Sequence, residues 1–154
     1  MDKISSISEE KLCSMIKDCV EKRGVFPLTV TGSSMCPTLS PLRDMVWLVS
    51  PGIRPPAKGE LLLFLRTDGS LVLHRLVRIQ KDGTYLMNGD GQSWTETTTA
   101  DRVLAVVREI ERKGRRFSVD NRKYRWYVRL WGVARPFRPA LVRIKAWAGR
   151  KKRT

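Results

Sequence analysis

The chain of 154 residues is poor in the side chains that build disulfide frameworks and metal sites. It has one histidine and three cysteines, Cys13, Cys19 and Cys36, and no two cysteines form a Cys-x-x-Cys pair. We therefore expect neither a disulfide framework nor a zinc site, and the cysteine content indicates a reducing compartment. No metal ion or other cofactor is predicted.

Long hydrophobic runs are also missing. Apolar runs reach only five residues, as in Leu61 to Leu65, whereas a membrane-spanning helix needs about 20. The first residues lack the basic start and apolar stretch of a signal peptide. The sequence predicts neither a transmembrane helix nor a secretory signal, so we expect the protein in the cytoplasm or peripherally at the cytoplasmic face of the membrane.

Acidic residues are scarce in the last third of the chain. Residues 103–154 hold 17 Lys and Arg against 3 Asp and Glu, whereas residues 1–102 hold 13 against 12. The formal net charge of +15 therefore falls almost entirely on the last third. The length suits one domain with a sizeable core. We expect a domain over 1–120 followed by a basic segment over 121–154.

Hydrophobic periodicity predicts helices towards both ends of the chain. A capping box at Ser6 to Glu9 precedes apolar residues at helical spacing, which predicts a helix over about 7–22. Residues 121–134 place aromatic side chains on one broad face and arginines on the opposite face. Residues 140–148 predict a second, less clearly sided helix.

The residues between these helices predict a β domain. Short apolar strands over about 25–119 are separated by Gly and Asp turns, including Asp68-Gly69 and Lys113-Gly114. Such a series is typical of antiparallel hairpins. The predicted fold is mainly β, a coiled antiparallel sheet with an N-terminal helix and a basic, amphipathic C-terminal helical segment.

The segment Thr31 to Leu39, Thr-Gly-Ser-Ser-Met-Cys-Pro-Thr-Leu, lies between two predicted strands. Gly32 permits backbone angles that other residues avoid, and Pro37 restricts the residue before it. Clusters of Gly, Ser and Pro are mostly ordinary loops. A tight turn that projects a hydroxyl is nevertheless a common way to expose a serine nucleophile.

The one histidine, His74, lies in a predicted strand. A strand histidine more often fills space than performs chemistry. A serine nucleophile, however, needs a base to remove its proton, and neutral imidazole is suited to that role near pH 7. The chain therefore holds one candidate imidazole base.

Three strings in this order resemble the boxes of type I signal peptidases and the related self-cleaving repressor peptidases. They are Gly-x-Ser-Met-x-Pro-Thr-Leu at 32–39, His74-Arg75, and Asn-Gly-Asp at 88–90. The resemblance covers about residues 25–107 and implies the coiled β fold of that superfamily. A His-Arg pair in the second box is similar to the histidine-using branch. Signal peptidases proper usually have N-terminal membrane anchors, which are not predicted here.

The resemblance implies a serine endopeptidase that cleaves a peptide or protein precursor. Ser34, which precedes the methionine, would be the nucleophile, and His74 would be its base. In the histidine branch, an acid six residues beyond the Gly-Asp aspartate orients the imidazole, which here gives Glu96. Asp90 and Asp101 are the alternatives.

The resemblance also implies how a substrate would be held. Backbone N–H groups of the loop formed by Gly32, Ser33, Ser34 and Met35 would bind the oxyanion. Many bacterial relatives add a hydroxyl two residues before the nucleophile, but Gly32 has none. Met35 and Leu39 would line a shallow pocket for small residues beside an extended substrate.

Other interpretations remain for both parts of the chain. The domain is alternatively a catalytically weak or inactive module that binds an extended peptide or a membrane-associated partner. The basic segment suits an anionic membrane surface, with aromatic residues at headgroup level and arginines on lipid phosphates. The residues expected at that surface are Tyr124, Tyr127, Trp131, Arg125 and Arg129. The same charge suits nucleic acid, or the aromatic stripe packs on the β domain and the arginines are solvated.

Overall fold

Among the residues that the structure describes, eight antiparallel strands form one sheet, with one helix before it and one after it. The structure, a computed structural model, describes residues 8–138 and residue 140. The helices are α1 (Glu9–Lys22) and α2 (Arg122–Val133). The strands are β1 (Phe26–Thr29), β2 (Asp44–Val49), β3 (Leu61–Leu65), β4 (Leu71–Ile79), β5 (Tyr85–Asn88), β6 (Glu96–Thr98), β7 (Val103–Arg112) and β8 (Arg115–Ser118). The predicted mainly β fold class is confirmed.

The strand order is β1-β2-β7-β3-β4-β5-β6, and β8 pairs with β7. Local turn chemistry closes the hairpins. Gly69 between β3 and β4 and Gly114 between β7 and β8 both have positive φ, at 86° and 74°, a region that glycine adopts at little cost. Sequence patterns predicted both hairpins, but the short polar strand β6 was not predicted.

The core lies on both faces of the sheet. On one face, Ile16 and Val20 of α1 pack against a cluster that includes Leu48, Leu61 and Leu63. On the other face, a smaller cluster contains Leu62, Phe64, Leu76, Met87, Val103 and Val106. Because side chains alternate along a strand, neighbouring residues of β3 enter different clusters. The same alternation sends His74 and Arg75 of β4 to opposite faces.

Helix α2 turns its aromatic face towards the sheet domain. Asn121 caps the helix by accepting a hydrogen bond from Lys123 N at 3.0 Å. Tyr127 Oη lies 3.0 Å from Thr38 Oγ1, and the Tyr124 ring lies 5.8 Å from that of Phe117. The helix is therefore attached to the domain through its tyrosines.

The contacts of α2 correct one sequence prediction. Tyr124, Tyr127 and Trp131 were expected to face a lipid surface. Instead they face the domain, because their hydroxyl and indole groups lie against its buried polar atoms, and Trp131 Nε1 donates to Asp90 O at 3.1 Å. For these three side chains, the alternative of packing on the β domain is what the structure contains.

Two further predictions concern the ends of the chain. Within residues 8–138 and 140, no helix is both long enough and apolar enough to cross a membrane. The helix predicted over 140–148 lies, apart from residue 140, outside the described residues.

Candidate active site

Residues that follow Ser34 fix the loop that holds it. Met35 and Leu39 are buried in the core, and Leu39 N donates to Met35 O at 2.9 Å. Arg112 Nη2 donates to Thr38 O at 2.6 Å. Ser34 is half-buried at the start of the turn, whereas Ser33 is exposed. The backbone of Ser34 is therefore held in place by the side chains that follow it.

The burial of Met35 and Leu39 contradicts the role predicted for them. They were expected to line an open pocket for substrate, but their exposed fractions are 1% and 0%. Both belong to the cluster that α1 covers. The apolar side chains of this loop therefore stabilise the loop from below and do not line a substrate pocket.

The loop of Ser34 lies directly on the loop that follows β5. Gly91 N donates to Ser34 O at 2.9 Å. A Cβ atom on Gly89 would lie 2.7 Å from Ser34 O, and one on Gly91 would lie 2.7 Å from Cys36 O. Because real Cβ atoms do not approach so closely, both positions require glycine. The Gly-Asp-Gly string therefore provides a close contact with the serine loop as well as a turn.

Gly32 does not have the conformational role expected of it. It is absent from the glycines of positive φ among the described residues, and a Cβ built on it meets no atom within 4 Å. A side chain would therefore fit at this position. The glycines that the local structure requires are Gly89 and Gly91.

The register of the sheet places His74 beside the serine loop. Arg75 pairs with Asn88 in the β4–β5 ladder, so continuing this register by one residue sets His74 opposite Gly89. Residues directly opposite in an antiparallel pair share one face. The space that a side chain on Gly89 would fill is occupied by Gln92 Oε1 and Ser34 O, so the backbone of Ser34 approaches the sheet at the position opposite His74.

Within the described part of the chain, no hydrogen bond joins Ser34 Oγ to His74. Hydrogen bonds of catalytic pairs are often long before substrate binds. The backbone N–H of Ser34 likewise donates to no backbone acceptor among the described residues, which leaves it available to an oxyanion.

The imidazole of His74 is enclosed by aromatic rings and a carboxylate. Its exposed fraction is 1%, and the rings of Phe64 and Trp94 meet it edge-on, each with its centroid 6.2 Å away. His74 Nδ1 lies 2.7 Å from Glu96 Oε1. The contact does not have the geometry of a hydrogen bond, so it is a close approach of the ring nitrogen to the carboxylate.

Arg66 fixes Glu96 from the other side. Its Nε donates to Glu96 Oε2 at 2.6 Å and its Nη2 to Oε1 at 2.8 Å. Burial opposes ionisation of Glu96, but the hydrogen bonds from Arg66 and the neighbouring His74 outweigh it, so the pKa of Glu96 lies below its ordinary value. Glu96 is therefore a carboxylate at neutral pH.

For His74, burial is the dominant influence on the pKa. It disfavours the imidazolium and lowers the pKa of His74 below its ordinary value of 6.5, although Glu96 acts to raise that pKa. Arg66 adds to the lowering through its positive charge, whereas the Asp90 carboxylate opposes it. At neutral pH the imidazole is therefore uncharged and able to accept a proton.

The other candidate acids lie elsewhere. Asp90 is fully buried and accepts from Arg75 Nε at 2.9 Å, Arg75 Nη2 at 2.6 Å and Thr38 Oγ1 at 2.5 Å. Asp101 is exposed in the short 3₁₀ turn before β7. Of the three acids, Glu96 is the one that contacts the imidazole through Nδ1.

Several residues of the site were not found from the sequence. Arg66 and Trp94, which contact Glu96 and His74, carried no signal, because only the sheet register brings them together. Thr38 lies within the serine string and Arg75 within the His-Arg pair, so their motif positions could have indicated them. Among the described residues, no group of three or more His, Cys, Asp and Glu side chains is placed to hold a metal ion.

Comparison with known proteins identifies the family of the chain. A family model described as Peptidase S24-like matches residues 2–110, which include Ser34, His74 and Glu96. No curated protein and no solved structure matches the chain. The family match covers well over half of the sequence and nearly all of the sheet. The chain therefore belongs to the Peptidase S24-like family, within the superfamily that also includes the signal peptidases.

Proposed function

We propose that the protein is a serine endopeptidase of the signal-peptidase type that cleaves a peptide or protein precursor. Ser34 is its nucleophile, His74 its general base and Glu96 the acid that orients the base. The observation that carries the proposal is the contact of the buried His74 imidazole with the Glu96 carboxylate, at the strand position opposite the glycine against which the Ser34 backbone lies.

The proposed reaction uses each of these groups once in each half. Ser34 Oγ attacks the substrate carbonyl while His74 Nε2 accepts the hydroxyl proton. The Ser34 N–H stabilises the oxyanion. The imidazolium then gives its proton to the leaving amine, and a water molecule, activated by the same imidazole, hydrolyses the acyl-enzyme. Glu96 stabilises the imidazolium while it lasts.

The position of His74 supports the histidine-using branch. A lysine at this buried position would have to lose its charge before it acted as a base, whereas burial leaves a histidine neutral without further help. The adjacent Arg75 has a different task, because its guanidinium is taken up by Asp90 on the opposite face.

The proposal is tested by exposing the full chain to a diverse peptide library and identifying new termini by mass spectrometry. We expect cleavage by the wild type and by Ser33→Ala, and none by Ser34→Ala or His74→Ala. Ser33→Ala is the matched control, since it removes the neighbouring hydroxyl. Undiminished cleavage by Ser34→Ala would refute the proposed nucleophile.

A second candidate function is a peptidase-fold module that binds an extended peptide without cutting it. Two observations favour it: no hydrogen bond joins Ser34 Oγ to His74 among the described residues, and Gly32 supplies no oxyanion hydroxyl. In the same library experiment, this function predicts peptides that are retained by the wild type and recovered intact.

A further inference from the structure

The outer side of α2 and of the turn after it carries four large apolar side chains that face solvent. They are Trp126, Leu130, Val133 and Phe137, which we call the outer stripe. Their exposed fractions are 62%, 63%, 79% and 68%. They recur at spacings of four, three and four residues, so the three on α2 lie along one side of the helix.

Contacts on the inner side of α2 prevent the helix from rotating to bury the outer stripe in the core. Tyr127 lies against Thr38, and Trp131 donates to Asp90 O. Beyond the helix, Arg138 Nη1 donates to Asn88 Oδ1 at 2.7 Å. These contacts set the orientation of the helix, so the outer stripe remains at the surface. A contiguous exposed apolar patch usually marks an interaction site.

The surroundings of the outer stripe are positively charged. Residues 122–133 contain four basic residues and no acidic one, and Arg122, Lys123, Arg125 and Arg129 are all exposed. Arg129 lies over the Trp126 ring at 6.0 Å. On the helix, Arg129 and Lys123 flank the stripe on its two sides. The surface that fits this face is therefore both apolar and negatively charged.

We propose that the outer stripe docks into the surface of an anionic phospholipid bilayer. The apolar side chains enter the boundary between headgroups and acyl chains, and the flanking arginines and lysine bind lipid phosphates. Nucleic acid would pair with the basic residues but leave the apolar side chains in water. A second copy of the chain would bring like charges together. The lipid surface satisfies both features.

Docking in this way would hold the serine loop close to the bilayer. The inner side of α2 contacts Thr38 and Asp90, so the outer stripe and the Ser34 loop are separated by about one helix diameter, roughly 10 Å. Substrates attached to or emerging from the membrane would then be within reach. The docking itself does not depend on the proposed peptidase activity, and its test measures no cleavage.

The test compares two double variants of the full chain. Trp126→Gln with Leu130→Gln removes half of the outer stripe and keeps good helix formers. Ile53→Gln with Ile79→Gln is the matched control, because these residues are also exposed apolar ones, at 58% and 50%, but belong to the loop after β2 and to the end of β4. All variants keep the same basic C-terminal residues, so a difference between them measures the stripe alone.

Binding is measured by co-sedimentation with vesicles of phosphatidylcholine alone, and with one quarter phosphatidylglycerol, at about 0.1 M salt. We expect the wild type and the control variant to bind the anionic vesicles. The stripe variant should bind at least about tenfold more weakly, given the apolar surface it withholds from lipid. Binding to phosphatidylcholine alone should be weak for all three.

Three outcomes would overturn the proposal. They are no binding of the wild type to anionic vesicles, equal binding of the two double variants, and a dimer that the stripe variant loses while no protein binds lipid. Circular dichroism checks that the variants fold. If Trp126→Gln with Leu130→Gln unfolds, Val133→Gln with Phe137→Gln tests the same stripe, with the same expected loss.

Discussion

His74 and Arg75 are neighbours in β4, yet their side chains enter two different environments. On one face, His74 meets Glu96, which keeps an exposed fraction of 17% and is shared with Arg66. On the other face, Arg75 meets Asp90, which is fully buried and also bonded to Thr38. Two adjacent residues thus each have a carboxylate partner, but only the pair with Glu96 contains an imidazole, and burial lowers the pKa of that imidazole below its ordinary value.

The two pairs differ in role: the pair of Arg75 and Asp90 is structural, whereas the pair of His74 and Glu96 belongs to the proposed reaction. The ion pair of Arg75 and Asp90 connects the serine loop, β4 and α2. The pair of His74 and Glu96 lies on the other face of β4 and contains the proposed base. One face of β4 therefore holds the serine loop in position, and the other face carries the proposed base, His74.

The largest effect is expected when the pair of His74 and Glu96 is broken. Glu96→Gln removes the charge that stabilises the imidazolium, so we expect cleavage to fall by at least about 100-fold. The free energy of unfolding should change by no more than about 1 kcal/mol, because Arg66 keeps an exposed fraction of 30% and stays in contact with water without its partner. Peptide cleavage and urea denaturation measure the two effects. A variant that retains full activity would contradict the role of Glu96.

Breaking the pair of Arg75 and Asp90 should instead have its main effect on stability. Asp90→Asn leaves the Arg75 charge buried without its partner, so we expect the free energy of unfolding to fall by about 3 kcal/mol. Urea denaturation of the full chain measures it. Glu96→Gln is the comparison variant, and equal losses of stability in the two variants would remove the distinction between the faces.

A pair of glycines tests the contact between the two loops. Gly89→Ala brings a Cβ against Ser34 O, so we expect a loss of about 1–3 kcal/mol in the free energy of unfolding. Gly32→Ala meets nothing and should be neutral or stabilising by up to about 1 kcal/mol. Thermal and urea denaturation compare the two. If Gly89→Ala were as stable as Gly32→Ala, the close approach to Ser34 would be wrong.

The smallest expected effect is a change in the pKa of the His74 imidazole when Arg66 is replaced. The guanidinium acts to lower the pKa of His74, so Arg66→Gln should raise that pKa. Since cleavage needs neutral His74, the acidic limb of the pH–rate profile should move to higher pH. Arg54→Gln, which breaks an ion pair with Glu60 away from the histidine, is the control and should leave the limb in place.

The sequence predicts most of the fold because its signals are local. Alternating apolar residues and Gly or Asp turns define both long hairpins without knowledge of the rest. Strand β6 is missed because Glu96 to Thr98 is short and polar, and its pairing is supplied by β5. Whether an apolar loop residue points inwards is not a local property either, which is why Met35 and Leu39 were expected in a pocket.

The site is predicted less completely, for a related reason. Ser34 and His74 follow from the strings that contain them, and Glu96 from a count of six residues. The choice between Glu96 and Asp90 depends on which face of β4 each carboxylate approaches, and only the sheet register supplies that. Arg66 is 30 residues from Glu96 in the chain, so no local pattern connects them.

The most direct test of this account is the titration of the one histidine, followed by NMR in the wild type and in Glu96→Gln. His74 is buried, so we expect its pKa to lie below 6.5 in the folded wild type. Loss of the Glu96 charge should lower it further, and cleavage should rise with pH as the imidazole becomes neutral. A wild-type pKa above 6.5, or one that does not change in Glu96→Gln, would contradict the assignment of His74 and Glu96 as base and orienting acid.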